Sequence, residues 1–351
     1  MRSHRLRLMG VASVLATLAA APASATEELN ALVWCDHTDP AFLEPFEKAH
    51  DVKVNTKEYE GTGTALALIE QSQPGDWDVL VVDSVDVPRV SAAGILAPLP
   101  EDALPWDDIF PELREPELHF RDGVAYAVPE KFGYNALAYN KDNVDPADMQ
   151  TTSIIWDPSY QGRVAIYDYY IPVMGMVAVG LGMRPSEISE ATLPQIKDKL
   201  FEMKQNAKLI GDVVTVQTAL ATGDVDIIVG GGEYVTAGLH KDNPSLDWVL
   251  PDDGGVRWMQ AIGVFANSTK KELATEFVKY VLSPEGQARL ATSSCYWAMP
   301  ANSKAALTDE QKAILRWDQQ PDFIKSSYPY FIPDPALDAK MLEAWQEAIQ
   351  Q

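Results

Sequence analysis

Several features that would mark an enzyme or a metalloprotein are scarce in this 351-residue sequence. It has only two cysteines, no Cys-x-x-Cys pair and no His/Cys cluster, so no zinc site is predicted. It contains no Gly-x-Ser-x-Gly, His-Glu-x-x-His or Walker motif. Beyond the N-terminus, no apolar run approaches the roughly 20 residues that span a bilayer. These absences argue against common hydrolases, zinc proteins, nucleotide-binding proteins and membrane-embedded proteins.

The N-terminus has the organisation of a secretory signal. Three arginines among the first seven residues precede an apolar stretch at 8–21 and the small-residue site Ala23–Ala25. We therefore predict a signal peptide over residues 1–25, with cleavage after Ala25. The residue directly after that site is Thr26 and not a cysteine, so a lipid anchor is not expected.

Basic residues are also few. The chain has 28 Lys and Arg against 51 Asp and Glu, a formal net charge of −23 that becomes −26 once the three signal-peptide arginines are removed. A nucleic-acid-binding surface would have to be basic, so that class is disfavoured. The acidic excess favours solubility and can attract cationic ligands.

What is present is an alternation of strands and helices in two sets. Apolar strands at 29–34, 52–60 and 77–83 are separated by helical patterns, which predicts a parallel sheet covered by helices. A second set follows at 163–232, after extended runs at 126–140. Two α/β sets joined by extended segments predict two lobes with a cleft between them.

Aromatic and acidic side chains collect where those strands end. Ligands of parallel sheets bind beyond the carboxyl ends of the strands. Aromatic faces hold alkyl chains and cations, and carboxylates pair with ammonium groups. We therefore expect a cleft for a cationic solute, with these residues at its walls: Trp34, Asp36, Asp83, Ser84, Asp168, Tyr169, Glu233, Trp258 and Tyr296.

The segment Gly61–Thr64 opens a predicted helix after the second strand. Helix N-termini attract anions. Thr62, Gly63 and Thr64 are thus a possible anion site, although simple capping of the helix start explains the same residues.

The segments at 77–100, 123–144, 154–168, 223–234 and 252–291 resemble, in this order, those of spermidine/putrescine-type substrate-binding proteins of ABC transporters. The resemblance implies an α/β type II periplasmic binding protein fold, in which two lobes joined by a two-crossover hinge enclose the ligand. The crossovers are expected near 136–140 and 261–265. The implied divisions are lobe 1 at 26–137, lobe 2 at 138–262, a return to lobe 1 at 263–305 and C-terminal helices at 306–351.

Residue by residue, the resemblance covers only part of the binding site. Trp34, Asp36, Trp258 and Tyr296 match family positions. At other positions this sequence differs from the family. Gln260 stands where the family has an amine-binding Asp, and glycines 230–232 stand where it has a Trp. Pro172 stands in place of an acid, Asp83 in place of a Ser and Phe331 in place of a Gln. Glu233 lies within one residue of a position where some members keep an acid. These departures favour a ligand with a single ammonium group, held by Trp34, Asp36, Asp83 and Trp258.

The resulting hypothesis is a periplasmic, monomeric carrier without enzymatic activity or cofactor. It would capture a small amine-containing solute, polyamine-like or amino acid-like, and deliver it to an inner-membrane ABC permease. Two alternatives remain: a ferric-iron carrier using Tyr169 and Tyr170, and a secreted hydrolase using Asp36 and Asp168.

The two cysteines flank expected cleft residues. Cys35 follows Trp34 and Cys295 precedes Tyr296, so if both neighbours face one ligand the cysteines lie on the same rim. An oxidising compartment would allow a disulfide between them. Two free thiols are the other possibility.

Overall fold

The computed structural model describes residues 27–59 and 61–349, apart from the side chain of Thr62. The predicted signal peptide, residues 1–25, lies outside the described residues. The strands are β1 (Glu27–Val33), β2 (Val52–Glu58), β3 (Val79–Asp83), β4 (Phe120–Arg121), β5 (Val124–Ala125), β6 (Val128–Asn140), β7 (Val164–Tyr167), β8 (Ala207–Gly211), β9 (Ile227–Gly231), β10 (Leu246–Val249), β11 (Val256–Val264), β12 (Met299–Pro300) and β13 (Tyr328–Pro329).

The α-helices alternate with these strands through most of the chain. They are α1 (Pro40–His50), α2 (Thr62–Gln71), α3 (Val87–Ala92), α4 (Pro116–His119), α5 (Tyr170–Gly180), α6 (Leu193–Asn206), α7 (Val213–Ala221), α8 (Glu233–Thr236), α9 (Lys271–Leu282), α10 (Pro284–Ala291), α11 (Asp309–Ile314), α12 (Gln320–Ser326) and α13 (Pro335–Ile349). In the part of the chain described here, no helix is both long and apolar enough to cross a membrane.

One sheet runs through both halves of the molecule in the order β2-β1-β3-β11-β6-β9-β7-β8. Its outer strands are parallel, β2-β1-β3 at one side and β9-β7-β8 at the other, as the alternating pattern predicts. The central strands β11 and β6 pair antiparallel with their neighbours. Because the two parallel sets run in from opposite sides, their carboxyl ends meet at the middle of the molecule.

The chain crosses between the two halves twice, and both crossings lie close together in the sheet. Strand β6 pairs with β11 up to Asn135 and with β9 from Ala136, so it passes from one half to the other there. The chain returns between β10 and β11, at 250–255. The predicted return at 261–265 is therefore about ten residues too late, since β11 already pairs with β3 from Gln260 onward.

Local sequence signals placed several elements correctly. Asp39 caps α1 by accepting a hydrogen bond from Ala41 N at 2.9 Å, and Pro40 is its first residue, as predicted. The glycines at the end of β9 allow close backbone approach. A Cβ on Gly232 would lie 2.1 Å from the Tyr134 carbonyl oxygen, so only glycine fits there.

Cys35 and Cys295 form a disulfide, with their Cα atoms 6.1 Å apart. The bond connects the turn after β1 to the segment between α10 and β12. Between these cysteines lies almost the whole of the second half, because 260 residues separate them in sequence. The bond thus fastens the returning C-terminal segment to the first strand.

Reduction of this disulfide should lower the melting temperature. The chain-entropy model gives about 5–6 kcal/mol of stabilisation for a loop of 260 residues. Differential scanning calorimetry with and without reductant measures the change. A Cys35→Ser/Cys295→Ser variant is the control, because its melting temperature should not respond to reductant. Two free thiols per chain in unfolded, unreduced protein would contradict the expectation.

Candidate functional site

The candidate site lies where the carboxyl ends of the parallel strands meet. Trp34 follows β1, Tyr59 follows β2, and Asp83 ends β3. From the other half, Tyr169 comes two residues after β7 and Glu233 begins α8 after β9. The sheet geometry therefore brings residues from both halves to one junction, which is where such sheets bind ligands.

Asp36 and His37 lie in a short 3-10 turn, Cys35–Thr38, directly after β1. Both side chains are fully buried. The His37 imidazole bridges two carboxylates, with Nδ1 2.9 Å from Asp36 Oδ1 and Nε2 2.9 Å from Glu130 Oε1. Asp36 is thus part of an internal network and does not face the cleft as an open carboxylate.

Lys131 completes this network from the long strand β6. Its ammonium donates a hydrogen bond to Asp36 Oδ2 and another, at 2.9 Å, to the Tyr296 hydroxyl. The Lys131 side chain is 1% exposed. We call Asp36, His37, Glu130 and Lys131 the buried quartet.

A β-bulge explains how two consecutive residues of β6 reach the same turn after β1. Gln260 of β11 pairs with Lys131, whereas the next residue, Ala261, pairs with Pro129, so Glu130 is the extra residue. Neighbouring side chains of a regular strand point to opposite faces. The bulge re-aims one of them, and both Glu130 and Lys131 therefore contact the turn after β1.

The quartet balances its charges internally. Burial by itself would raise the pKa of Asp36, but the Lys131 ammonium and the His37 imidazole hold that pKa well below its usual range. Burial by itself would lower the pKa of His37, but Glu130 and Asp36 raise it above the ordinary value. With His37 protonated, two cations face two carboxylates, which is the condition under which buried charges persist.

Removing one member of the Lys131–Asp36 pair should be much more costly than removing both. Lys131→Met leaves Asp36 buried without its ammonium, and we expect a loss of about 3–5 kcal/mol in the free energy of unfolding. The neutral double variant Asp36→Asn/Lys131→Met should be close to wild type. Urea denaturation of the three proteins measures this, and equal losses in the single and double variants would contradict it.

Asp83 is a different kind of carboxylate. It ends β3 opposite Gln260, whose amide Nε2 lies 3.5 Å from Asp83 Oδ1. No ion pair to Asp83 occurs within residues 27–59 and 61–349. Burial, together with the neighbouring Asp86, raises its pKa to about 7, although Gln260 and Lys131 act in the opposite direction.

Gln260 itself has an unmet hydrogen-bonding group. Its Oε1 atom is buried, and no partner for it exists in the described part of the chain. Such an atom costs free energy unless a donor reaches it. A ligand N–H group lying between Gln260 and Asp83 would satisfy both.

Glu233 is the second buried carboxylate without a cation. It is fully buried, and its two oxygens accept the Tyr134 backbone N–H at 3.3 and 3.2 Å. Burial raises its pKa to about 8. Its position depends on Gly133, because a Cβ there would lie 1.9 Å from Glu233 Oε1 and 2.4 Å from the Trp258 ring.

Aromatic rings surround these two acids. Trp34 packs on Tyr59 with ring centroids 5.6 Å apart, and Trp258 contacts Tyr234 edge-on at 6.5 Å. A continuous series of tyrosine contacts, 5.9–6.4 Å between centroids, extends from the second half: Tyr234–Tyr167, Tyr167–Tyr169 and Tyr169–Tyr330. The walls are therefore suited to alkyl chains and cations.

Some predicted residues have other contacts. Asp168 is exposed and accepts a hydrogen bond from Trp345 Nε1 of α13 at 3.2 Å. Ser84 is fully buried, with Oγ 3.1 Å from His119 Nε2. Gly63 and Thr64 are exposed in the first turn of α2, which begins at Thr62, and their part in anion binding stays a prediction.

Sequence reasoning missed Lys131, Glu130, His37, Tyr234 and Tyr330. A signal existed for two of them, because an adjacent Glu and Lys inside a strand otherwise free of charge are unusual. Lys and Glu are almost never fully buried unless paired. Nothing in the linear sequence says that their partners are 93 and 95 residues away.

Proton release should accompany binding of a cation at this site. A cation stabilises the ionised carboxylates, so it lowers the raised pKa values of Asp83 and Glu233. Affinity for a cationic solute should therefore increase as the pH rises through about 7–8 and level off above that range. Calorimetry in buffers of different ionisation enthalpy counts the protons released.

The control for this experiment is Asp83→Asn, which should release fewer protons. Without ligand, the native protein binds more protons at these acids than the unfolded chain does. Their contribution to stability should therefore fall as the pH rises from about 4 to 8. Affinity that does not change with pH over this range would contradict the assignment.

Two α/β halves that enclose a binding junction define a solute-binding protein. The family of bacterial extracellular solute-binding proteins matches residues 41–321, so the chain belongs to it. The chain is 23% identical over 300 residues to the spermidine/putrescine-binding periplasmic protein of Escherichia coli K12, covering 84% of each. Its fold is similar to that of a putative spermidine/putrescine ABC transporter from Listeria monocytogenes, with a TM-score of 0.77, 23% identity and coverage of 92% and 98% of the two chains.

The iron alternative has weaker support. Iron uptake protein A1 of Synechocystis is 23% identical over 299 residues, 79% of this chain and 78% of that protein. Of the two tyrosines expected to bind iron, Tyr170 donates its hydroxyl to Asp338 Oδ1 of α13. Among the described residues, no group of three or more His, Cys, Asp or Glu side chains is arranged to hold a metal ion.

Proposed function

We propose that this protein is the solute-binding component of an ABC importer and captures a small amine-containing solute at the junction of its halves. The observation that carries the proposal is the presence of two carboxylates in an aromatic-lined site, the half-buried Asp83 and the fully buried Glu233, that form no ion pair among the described residues. Such carboxylates are costly to bury. An ammonium group supplies the missing charge and the hydrogen-bond donors.

The remaining parts of the proposal follow from family membership and the acidic composition. The protein works in the periplasm, closes its two halves on the solute by hinge motion, and presents the closed form to an inner-membrane permease. It binds its solute without changing it chemically. The same two acids would also accept the amine of an amino acid-like solute, with Thr62–Thr64 as the expected contact for its anionic end.

The ligand class is tested with a thermal-shift panel on the full chain. Putrescine, spermidine, butylamine, γ-aminobutyrate and butanediol differ in the number and sign of their charges. A solute that binds only the native state raises the melting temperature, and at equal concentrations the solute with the lower Kd raises it more. At least one amine should do so and butanediol should not. A response to neutral or anionic solutes alone would contradict the proposal.

Substitutions at the site should weaken binding of the best amine from that panel. We expect losses of roughly 1–3 kcal/mol for Trp34→Ala and Trp258→Ala, the range for buried aromatic and cation–π contacts. Asp83→Asn should cost at least as much, because it removes a charge-assisted hydrogen bond. The control is Val214→Ser, since Val214 is 70% exposed and lies outside the site. Unchanged affinity in all three site variants, measured by calorimetry, would disprove the assignment.

A further inference from the structure

The Lys131 ammonium is paired with the Asp36 carboxylate, which a cationic ligand would otherwise reach. We propose that Lys131 is a specificity-determining residue. Its ammonium permanently neutralises the Asp36 carboxylate, so a cationic solute is confined to the space between Asp83 and Glu233. The protein would then select short diamines over longer triamines. This inference rests on the proposed function and names the substrate class of the same site.

The first step is that both Asp36 oxygens already have charged partners within the protein. Its Oδ1 atom contacts His37 and its Oδ2 atom accepts from Lys131, and the residue is fully buried. The Tyr296 hydroxyl accepts from the same ammonium at 2.9 Å. Lys131 thereby makes the contacts with Asp36 and Tyr296 that an amine of the solute would need.

The second step is that Lys131 lies next to the open part of the site. Asp83, Gln260 and Lys131 stand opposite one another in a row across β3, β11 and β6. In the next row, Trp258 stands opposite Gly133, which is covered by the Glu233 carboxylate. Residues two apart on a strand share a face. The Lys131 side chain therefore fills a path that begins beside Asp83 and Gln260 and ends at Asp36.

The third step concerns the length of the solute. Two strand spacings of about 4.8 Å and a rise of about 3.4 Å for each of two residues put the Asp83 and Glu233 carboxylates on the order of 12 Å apart. A hydrogen bond of about 2.8 Å at each end leaves roughly 6 Å between two nitrogens. That separation fits a short diamine such as putrescine. The ligand with a single ammonium group that the sequence favours would leave one of these two carboxylates unpaired.

The experiment measures putrescine and spermidine binding by calorimetry to the wild type, Lys131→Ala and Asp36→Asn/Lys131→Met. The wild type should bind putrescine about tenfold or more tightly than spermidine, since the extra ammonium of spermidine finds no carboxylate. Lys131→Ala opens the path to Asp36 and should raise spermidine affinity about tenfold, with putrescine affinity within about threefold. In the double variant, the Met side chain still fills the path and the Asp36 charge is removed. This variant should therefore keep the wild-type preference for putrescine over spermidine.

Folding of the variants is followed in the same samples. Lys131→Ala leaves Asp36 without its ammonium partner, and added ethylammonium should raise the melting temperature of this variant more than that of the double variant. An unchanged putrescine/spermidine ratio in Lys131→Ala would overturn the inference. The inference would also be overturned if the Lys131→Ala protein stayed unfolded in the presence of both spermidine and ethylammonium. A double variant that binds spermidine more tightly than putrescine would overturn it as well. Failure of the wild type to bind any amine would instead refute the proposed function.

Discussion

The ion pair between Lys131 and Asp36 is the interaction on which the rest of the binding junction depends. It joins the turn after β1 to the central strand β6 across 95 residues of sequence. Because both groups are buried, the pair persists only with the additional hydrogen bonds from His37 and to Tyr296. The disulfide at Cys35 fastens the same turn to the segment that carries Tyr296. One wall of the junction is therefore fixed before any solute arrives.

The opposite arrangement holds for Asp83 and Glu233. Glu233 is fully buried, Asp83 is half-buried, and neither forms an ion pair within the described residues, so their pKa values are raised instead of lowered. Asp83 and Glu233 therefore differ from Asp36, which forms an ion pair with Lys131. Under the proposed function, this contrast separates a structural acid from the two acids that would bind the ligand.

Much of the architecture could be predicted from the sequence because it depends on local patterns. The apolar strand at 77–83, the cap at Asp39 and the glycines before Glu233 each have a local physical cause, and the structure confirms them. The position of Trp34 and Asp83 at strand ends followed from the same patterns. The return crossing at 261–265 was wrong, because nothing local marks where a strand such as β11 changes its pairing partners.

The sequence by itself determined that this is an acidic two-part α/β protein whose aromatic and acidic residues collect at strand ends. Periodicity, capping and turn chemistry act over a few residues, so they can be read along the chain. Only the tertiary structure decided which acids are available to a ligand. Asp36, Asp83 and Glu233 look alike in sequence, yet Lys131 reaches only the first through a bulge in a distant strand. Charge neutralisation acts through space at a few ångströms, and that proximity depends on strand pairing that no local pattern specifies.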